Sequence, residues 1–267
     1  MFMNEFLGYV GAVVMGIVLG LIGGGGSILT VPILVYILHI NPILATAYSL
    51  FIVGSTALVG AVRNMQKNLV DFRTAIIFAI PAFIAVYLTR RYLMPNIPEI
   101  IWQTGSFTLT KEVAIMVFFA IIMLLSAISM IRNKRDSSSE DSVIQYNYPL
   151  IIAEGLLVGV VTGIVGAGGG FLIIPALVLL AKLPMKKAVG TSLLIIAAKS
   201  LIGFLGDVQN LAIDWKFLSS FTIFAMIGIL IGIWLSGFID GNKLKKSFGW
   251  FVLIMGCYII AKELFLK

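Results

Sequence analysis

The sequence predicts an all-α polytopic membrane protein. It is built as two inverted-topology repeats of about five helical segments each, and each repeat carries a Gly-rich broken or re-entrant helix hairpin. Three observations predict this. Hydrophobic residues make up 60% of the 267 residues and charged ones 12%, with a mean hydropathy of +1.08. A soluble domain carries about 25% charged residues, so this chain lacks the polar surface to coat a soluble particle. Its apolar runs approach the length that spans a bilayer core, about 20 residues, and they are continuous rather than alternating, which argues against a β-barrel. Finally, a shift of 143 positions (159 − 16 = 143) lays the second half on the first without a gap from Gly16 to Asp71.

The apolar runs fall at 6–22, 28–38, 43–62, 74–88 and 113–131 in the first half. In the second they fall at 150–165, 171–181, 188–205, 217–239 and 248–260. Between the halves lies Arg132 to Asn147, rich in serine and mixed charge, which reads as a solvated linker. The organisation expected is a first membrane repeat over 1–131, a hydrophilic linker over 132–148 and a second repeat over 149–267, together one transmembrane domain.

The repeat register aligns more than glycines. Gly16, Gly20, Gly23, Gly25, Gly26, Pro32 and Gly60 meet Gly159, Gly163, Gly166, Gly168, Gly169, Pro175 and Gly203. Ala45, Ser49 and Leu50 meet Ala188, Ser192 and Leu193, while Gln66 meets Gln209 and Asp71 meets Asp214. Five segments per half is an odd number, so the second half starts on the opposite side of the membrane from the first.

The net charge of +7 sits in short loops between apolar runs, where basic residues set topology. No soluble domain exists to make it a nucleic-acid surface. With the N-terminus outside and the linker cytoplasmic, the cytoplasmic side holds Arg63, Lys67, Arg73, Arg132, Lys134, Arg135, Lys182, Lys186, Lys187, Lys243, Lys245 and Lys246. The outer side holds Arg90, Arg91, Lys111, Lys216, Lys262 and Lys267, a bias of about two to one, with Arg90 and Arg91 running against it. The expected location is the cell membrane, multi-pass. The opening MFMNEF has no cationic stretch and argues against a cleaved signal. Cys257 is alone, so no intrachain disulfide or cysteine-based metal site is available.

The glycines raise the functional question. GLIGGGGSILTVP (Gly20 to Pro32) and GIVGAGGGFLIIP (Gly163 to Pro175) interrupt apolar runs. Each glycine lowers helical propensity by about 1 kcal/mol relative to alanine. Non-helical backbone at membrane depth is tolerated only inside protein or beside a wet cavity. The helix is therefore expected to break at Gly23–Gly26 and restart near Ser27, and Gly166–Gly170 to do the same from the other side. The restarted helices would present orphan amides and partial positive charge to an anion. Close helix packing is the competing reading, and Gly16–Gly20 and Gly159–Gly163 fit it. A nucleotide-binding glycine loop lacks its βαβ setting. Gly24, Gly25, Gly26, Ser27, Gly168, Gly169 and Gly170 are thus the main-chain candidates.

Polar side chains in apolar runs supply the rest. Ser49 and Ser192 occupy matched positions, with Tyr48 and Thr191 just before them; back-bonding to the helix is the usual role of such hydroxyls, and oxyanion ligation the alternative. Lys199 stands within LLIIAAKSLIGF, where a central lysine costs about 2.5–3.5 kcal/mol. It either pairs with Glu154 or Asp207, or serves a negative solute; its repeat mate is Thr56. Glu154 reads as an interfacial carboxylate, Asn64 and Asp207 as caps, and His39 as a surface histidine. One His and one Cys make no ligand cluster for a catalytic metal, no serine nucleophile motif occurs, and neither cofactor nor enzymatic activity is expected.

At GLIGGGGSILTVPIL, GIVGAGGGFLIIPAL, TAYSL and AVGTSLLIIAAKSLIGFLGD the chain resembles the TauE/SafE-type sulfite exporters. The resemblance covers both halves, leaving Pro95–Thr110 and the linker unmatched. It implies a bacterial cytoplasmic-membrane transporter that moves sulfite or related sulfur oxyanions or organosulfonates, usually outward. Gly23–Ser27, Gly166–Gly170, Ser49 and Ser192 match the family motif; Lys199 is not a general family feature. The reading is a secondary exporter of a small sulfur oxyanion working by alternating access. A passive anion channel of the same architecture is the first rival, and a membrane enzyme acting on a sulfur compound the second. The partners expected are the anion and the lipid bilayer, with oligomeric state open.

Overall fold

The structure is a computed structural model that describes residues 2–104, 107–132, 148–166, 170, 173–174, 177, 183–238 and 241–265. Gly168, Gly169, most of the run at 171–181 and the linker from 133 to 147 lie outside the described residues. The chain is almost wholly helical. Helix α1 is Phe2–Ile22, and α2 is a mixed stretch of 3-10 turn (Gly24–Leu29), α turn (Thr30–Pro32) and π turn (Ile33–Ile37). Then follow α3 (Pro42–Gln66) and α4 (Phe72–Leu88), the latter prolonged by a π turn (Thr89–Leu93) and a last turn (Met94–Asn96). Helix α5 is Lys111–Arg132, α6 Tyr148–Val165, α7 Met185–Asp207, α8 Trp215–Leu235 and α9 Gly241–Phe265.

Four helices among the described residues are long and apolar enough to cross a membrane: Pro42–Gln66, Phe72–Asn96, Lys186–Asp207 and Trp215–Leu235. Phe6–Ile22, Gly26–Ile37 and Pro149–Val165 are shorter apolar helices. The outward faces are greasy. Ile76, Ile80, Ile84 and Leu88 form an exposed stripe on α4, and Ile223, Ile227, Leu230 and Trp234 form one on α8. In water such surface costs about 25 cal/mol per Å², a cost that lipid removes. The chain is a multi-pass membrane protein.

Local chemistry fixes the ends. Asn41 caps α3 by accepting from the Ile43 amide at 2.8 Å, with Pro42 at the first helical position. Asp71 caps α4 through the Thr74 amide at 2.9 Å, and Asp214 caps α8 through the Phe217 amide at 3.0 Å. Asn68 closes the turn after α3 at φ 55°, a conformation asparagine tolerates.

The long helices of the two halves pack in matching pairs. Helix α1 packs on α8 as α6 packs on α4, and α4 packs on α7 as α8 packs on α3. The matched helices α3 and α7 pack on each other, as do α5 and α9. The correspondence reaches single bonds. The Asp71 amide donates to Thr191 Oγ1 at 2.9 Å and the Asp214 amide to Tyr48 Oη at 2.8 Å, and both partners of the first bond map onto those of the second by the 143-residue shift (214 − 71 = 143; 191 − 48 = 143). Gly159 abuts the Ala82 carbonyl as Gly16 abuts that of Ala225. Helices α3 and α7 run antiparallel, with Gly54 against Leu201 and Asn64 against Gly190.

Close packing of small residues seats α1 on α8: Gly16 and Gly20 lie against Gly228 and Gly232, with backbone in contact, the role expected of the GxxxG-like pair. Between α4 and α5 the sequence shows no helix, and the structure has a two-stranded hairpin there. Strand β1 (Ile100–Thr104) pairs antiparallel with β2 (Phe107–Thr110), Thr104 opposite Phe107, with a register shift between Ile100 and Trp102. Its β-branched and aromatic residues carried that signal.

Candidate functional site

The first glycine tract interrupts the helix, and the chain resumes as a 3-10 turn at Gly24 rather than near Ser27. Helix α1 stops at Ile22, and Gly23 takes φ 74°, ψ −136°, a conformation open essentially to glycine alone. The chain then doubles back along α1, with Gly26 against the Leu19 backbone, Ile33 against Gly11 and Leu38 against Gly8. In the second half α6 stops at Val165, and Gly166, the repeat mate of Gly23, takes φ 73°. The two breaks have matching neighbours: Gly23 lies against Val189 and Gly166 against Thr46, again mates.

The breaks also bring the two halves together. A Cβ on Gly24 would fall on the Gly170 backbone, and one on Gly170 would fall on Gly24. The tracts therefore meet peptide to peptide. Packing and helix breaking are both present, although density of glycine argued in the sequence for a site beyond packing. In this conformation Gly24 and Gly170 hold each other.

The other candidates divide into those near this meeting point and those remote from it. Ser27 is buried and donates to the Gly24 carbonyl at 2.7 Å, tying the first turn of α2. Gly25 sits in the same turn. Ser192 donates to the Val189 carbonyl at 2.8 Å, and its Oγ lies 3.2 Å from where a Gly23 Cβ would stand. Ser49 is fully buried, and its hydroxyl has no hydrogen-bond partner among the described residues. Thr191 serves elsewhere, as acceptor for the Asp71 amide.

Lys199 is fully buried on α7 and donates to Thr162 Oγ1 at 2.8 Å. It lies seven residues beyond Ser192, about 10 Å along the helix axis at 1.5 Å per residue. The alternative of an ion pair with Asp207 is overturned, because Asp207 has another partner, and no pair with Glu154 occurs among the described residues. Asp207 faces Arg90, whose Nη1 stands 3.2 Å from its Oδ2. Arg90 was sorted with the outer loop charges; the structure instead buries it to 1% exposure in the π turn that prolongs α4. Local sequence carries no signal for this: Arg90 stands two residues past the apolar run at 74–88, beside Arg91. Asp207 is thus an ion-pair member rather than a cap. Asn64 bonds the Gly60 carbonyl at 2.8 Å, and His39 is exposed at φ 55° in the turn after α2.

Two helix breaks that meet inside a multi-pass bundle, beside buried hydroxyls and cations, are the architecture of a membrane transporter. The chain belongs to the Sulfite exporter TauE/SafE family, whose profile matches residues 9–259. It is 28% identical over 251 residues to a probable membrane transporter protein of Xylella fastidiosa (strain 9a5c), covering 92% of this chain and 91% of that one. It is 25% identical over 290 residues to the probable membrane transporter protein YunE of Bacillus subtilis (strain 168), covering 97% and 100%. Over a shorter stretch of 117 residues it is 33% identical to the probable membrane transporter protein MJ0441 of Methanocaldococcus jannaschii, 42% of this chain and 44% of that one. No solved structure matches the chain.

Proposed function

We propose that this transporter exports a small sulfur oxyanion, sulfite first among them, across the cell membrane by alternating access between two inverted repeats. The contact of Gly24 with Gly170 carries the reading: it joins the two halves at their helix breaks. The paired bonds Asp71–Thr191 and Asp214–Tyr48, with α3 and α7 antiparallel, favour inversion of the halves. Parting the glycine tracts would free main-chain amides for an anion, with Ser49 and Ser192 on α3 and α7 as hydroxyl ligands and Lys199 as a cation further along α7. A passive channel of the same architecture is the rival reading, and saturable counterflow separates the two.

The bonds between loops sort the charges by end. Arg91 bonds Gln209, Asn41 bonds Glu112, and Tyr36 bonds Glu263 at 3.2 Å beside Lys262. Leu69 and Asn64 meet Gly190 near Lys186 and Lys187 at the other end. An N-terminus outside and a cytoplasmic linker follow from the positive-inside rule. An inside-negative potential then favours anion exit, at about 2.3 kcal/mol per charge per 100 mV.

The test is efflux of sulfite from loaded proteoliposomes containing the purified chain. Saturable efflux above that of protein-free liposomes is expected. Flux equal to theirs refutes the substrate.

A further inference from the structure

Arg90 is held by fewer bonds than its burial demands. Its Nη1 donates to Thr46 Oγ1 at 3.0 Å and stands 3.2 Å from Asp207 Oδ2. Its Nε and Nη2 are buried with no hydrogen-bond partner among the described residues, and Asp207 Oδ2 makes no aligned hydrogen bond among them either. A guanidinium carries five N–H donors in a planar fork. A buried arginine kept for structure alone would be expected to use that fork bidentately, because single-point pairing does not repay desolvation. Here the side of the fork formed by Nε and Nη2 is unmatched.

The surroundings are those of the helix break. Thr46, which holds Nη1, is the residue against which Gly166 packs, and a Cβ on Gly206 would stand 3.0 Å from the Arg90 Cβ. The symmetric position offers nothing comparable. The mates of Arg90, Asp207 and Thr46 are Ile233, Asn64 and Val189 (233 − 90 = 143). The arginine is therefore an addition to one side of a duplicated scaffold, and the duplication does not require it.

We infer that Arg90 is an anion-binding residue of the transport path, taking an oxyanion through Nε and Nη2 while Asp207 holds the guanidinium when no anion is present. The ligand class is a small anion with two or more oxygens on one centre, which a guanidinium fork matches. The inference rests on the anion-transport reading above. It adds Arg90 as the residue that binds and Asp207 as its internal competitor.

The experiment uses the full chain in proteoliposomes. D207N removes the competing charge and keeps the shape; its KM for sulfite is expected to fall several-fold. D207N leaves Arg90, and R90Q leaves Asp207, buried without its counter-charge, and each risks misfolding, so the R90Q/D207N double variant, which buries no unpaired charge there, is the informative one. Its KM is expected to rise by roughly tenfold or more, the scale of a lost charge-assisted hydrogen bond. A folded double variant that transports with the wild-type KM overturns the inference and makes the pair structural. If the wild-type chain moves no sulfite, thermal stability is read with sulfite, sulfate, thiosulfate, acetate and chloride. Stabilisation by an oxyanion that the double variant loses keeps Arg90 as the binding residue and discards only the substrate. Equal response of both proteins to every anion overturns it.

Discussion

At the scale of single residues, the glycines divide by what a methyl group would meet. Gly23 and Gly166 have positive φ, and a side chain there is strained whatever the space. Gly237 has an open setting, with only the Trp234 carbonyl at 3.4 Å. Gly23→Ala and Gly166→Ala are each expected to cost about 1–3 kcal/mol, the scale of stored backbone strain, and Gly237→Ala to stay within about 0.5 kcal/mol. Thermal unfolding in detergent, read by loss of the monodisperse peak, checks this; equal melting of all three would mean that the breaks are not constrained. Lys199 poses a different question. Methionine preserves much of its stem volume and removes the ammonium, and Thr162 is left with a hydroxyl that can bond its own helix. Lys199→Met is expected to fold and to lose transport. Unchanged rate and affinity would assign Lys199 to structure.

At the scale of elements, the duplicated bonds between the halves can be tested as a pair. Tyr48 and Thr191 each hold the amide that begins the opposite half's outer helix, α8 and α4 respectively. Tyr48→Phe and Thr191→Val should each cost about 0.5–1.5 kcal/mol. They share no partner, so the double variant should equal their sum to within about 0.5 kcal/mol; strong coupling in denaturant unfolding would mean that the halves do not move as separate units. The bonds themselves were not legible in the sequence, but the equivalence of their partners was. The ungapped register that aligned Asp71 with Asp214 and Tyr48 with Thr191 already paired the residues that the structure makes equivalent. The break at Gly23 was legible for a simpler reason, since four glycines carry a local signal strong enough to survive tertiary context. Arg90 was not legible. Its neighbours in the chain are Thr89 and Arg91, which read as a loop. What buries it is the continuation of α4 through a π turn and the approach of Asp207 from far along the sequence. A long-range partner leaves no mark in local pattern. The β1–β2 hairpin was missed because the membrane pattern dominated the reading of a short polar interval.

At the scale of the whole molecule, the proposed inversion of the repeats is tested by the sidedness of matched loops. In a parallel duplication, matched loop positions lie on one side of the membrane; in an inverted one they lie on opposite sides. Lys67 follows α3 and Asn210 follows α7, matched positions (210 − 67 = 143) that are both exposed. His39, in the turn after α2, is exposed as well and precedes α3. The native thiol of Cys257 is exposed and must first be removed as Cys257→Ala. On that background, His39→Cys and Asn210→Cys are expected to react with a membrane-impermeant maleimide added to intact cells, and Lys67→Cys only after the membrane is permeabilised. The expectation joins two independent arguments. The greater count of lysine and arginine at the Lys67 end sets the sign. The antiparallel packing of α3 on α7 sets the relation between the matched loops. Labelling of Lys67→Cys and Asn210→Cys from the same side would break the inversion, and the alternating-access reading with it. Labelling of all three in reversed order would keep the inversion and turn the molecule over, placing the linker outside.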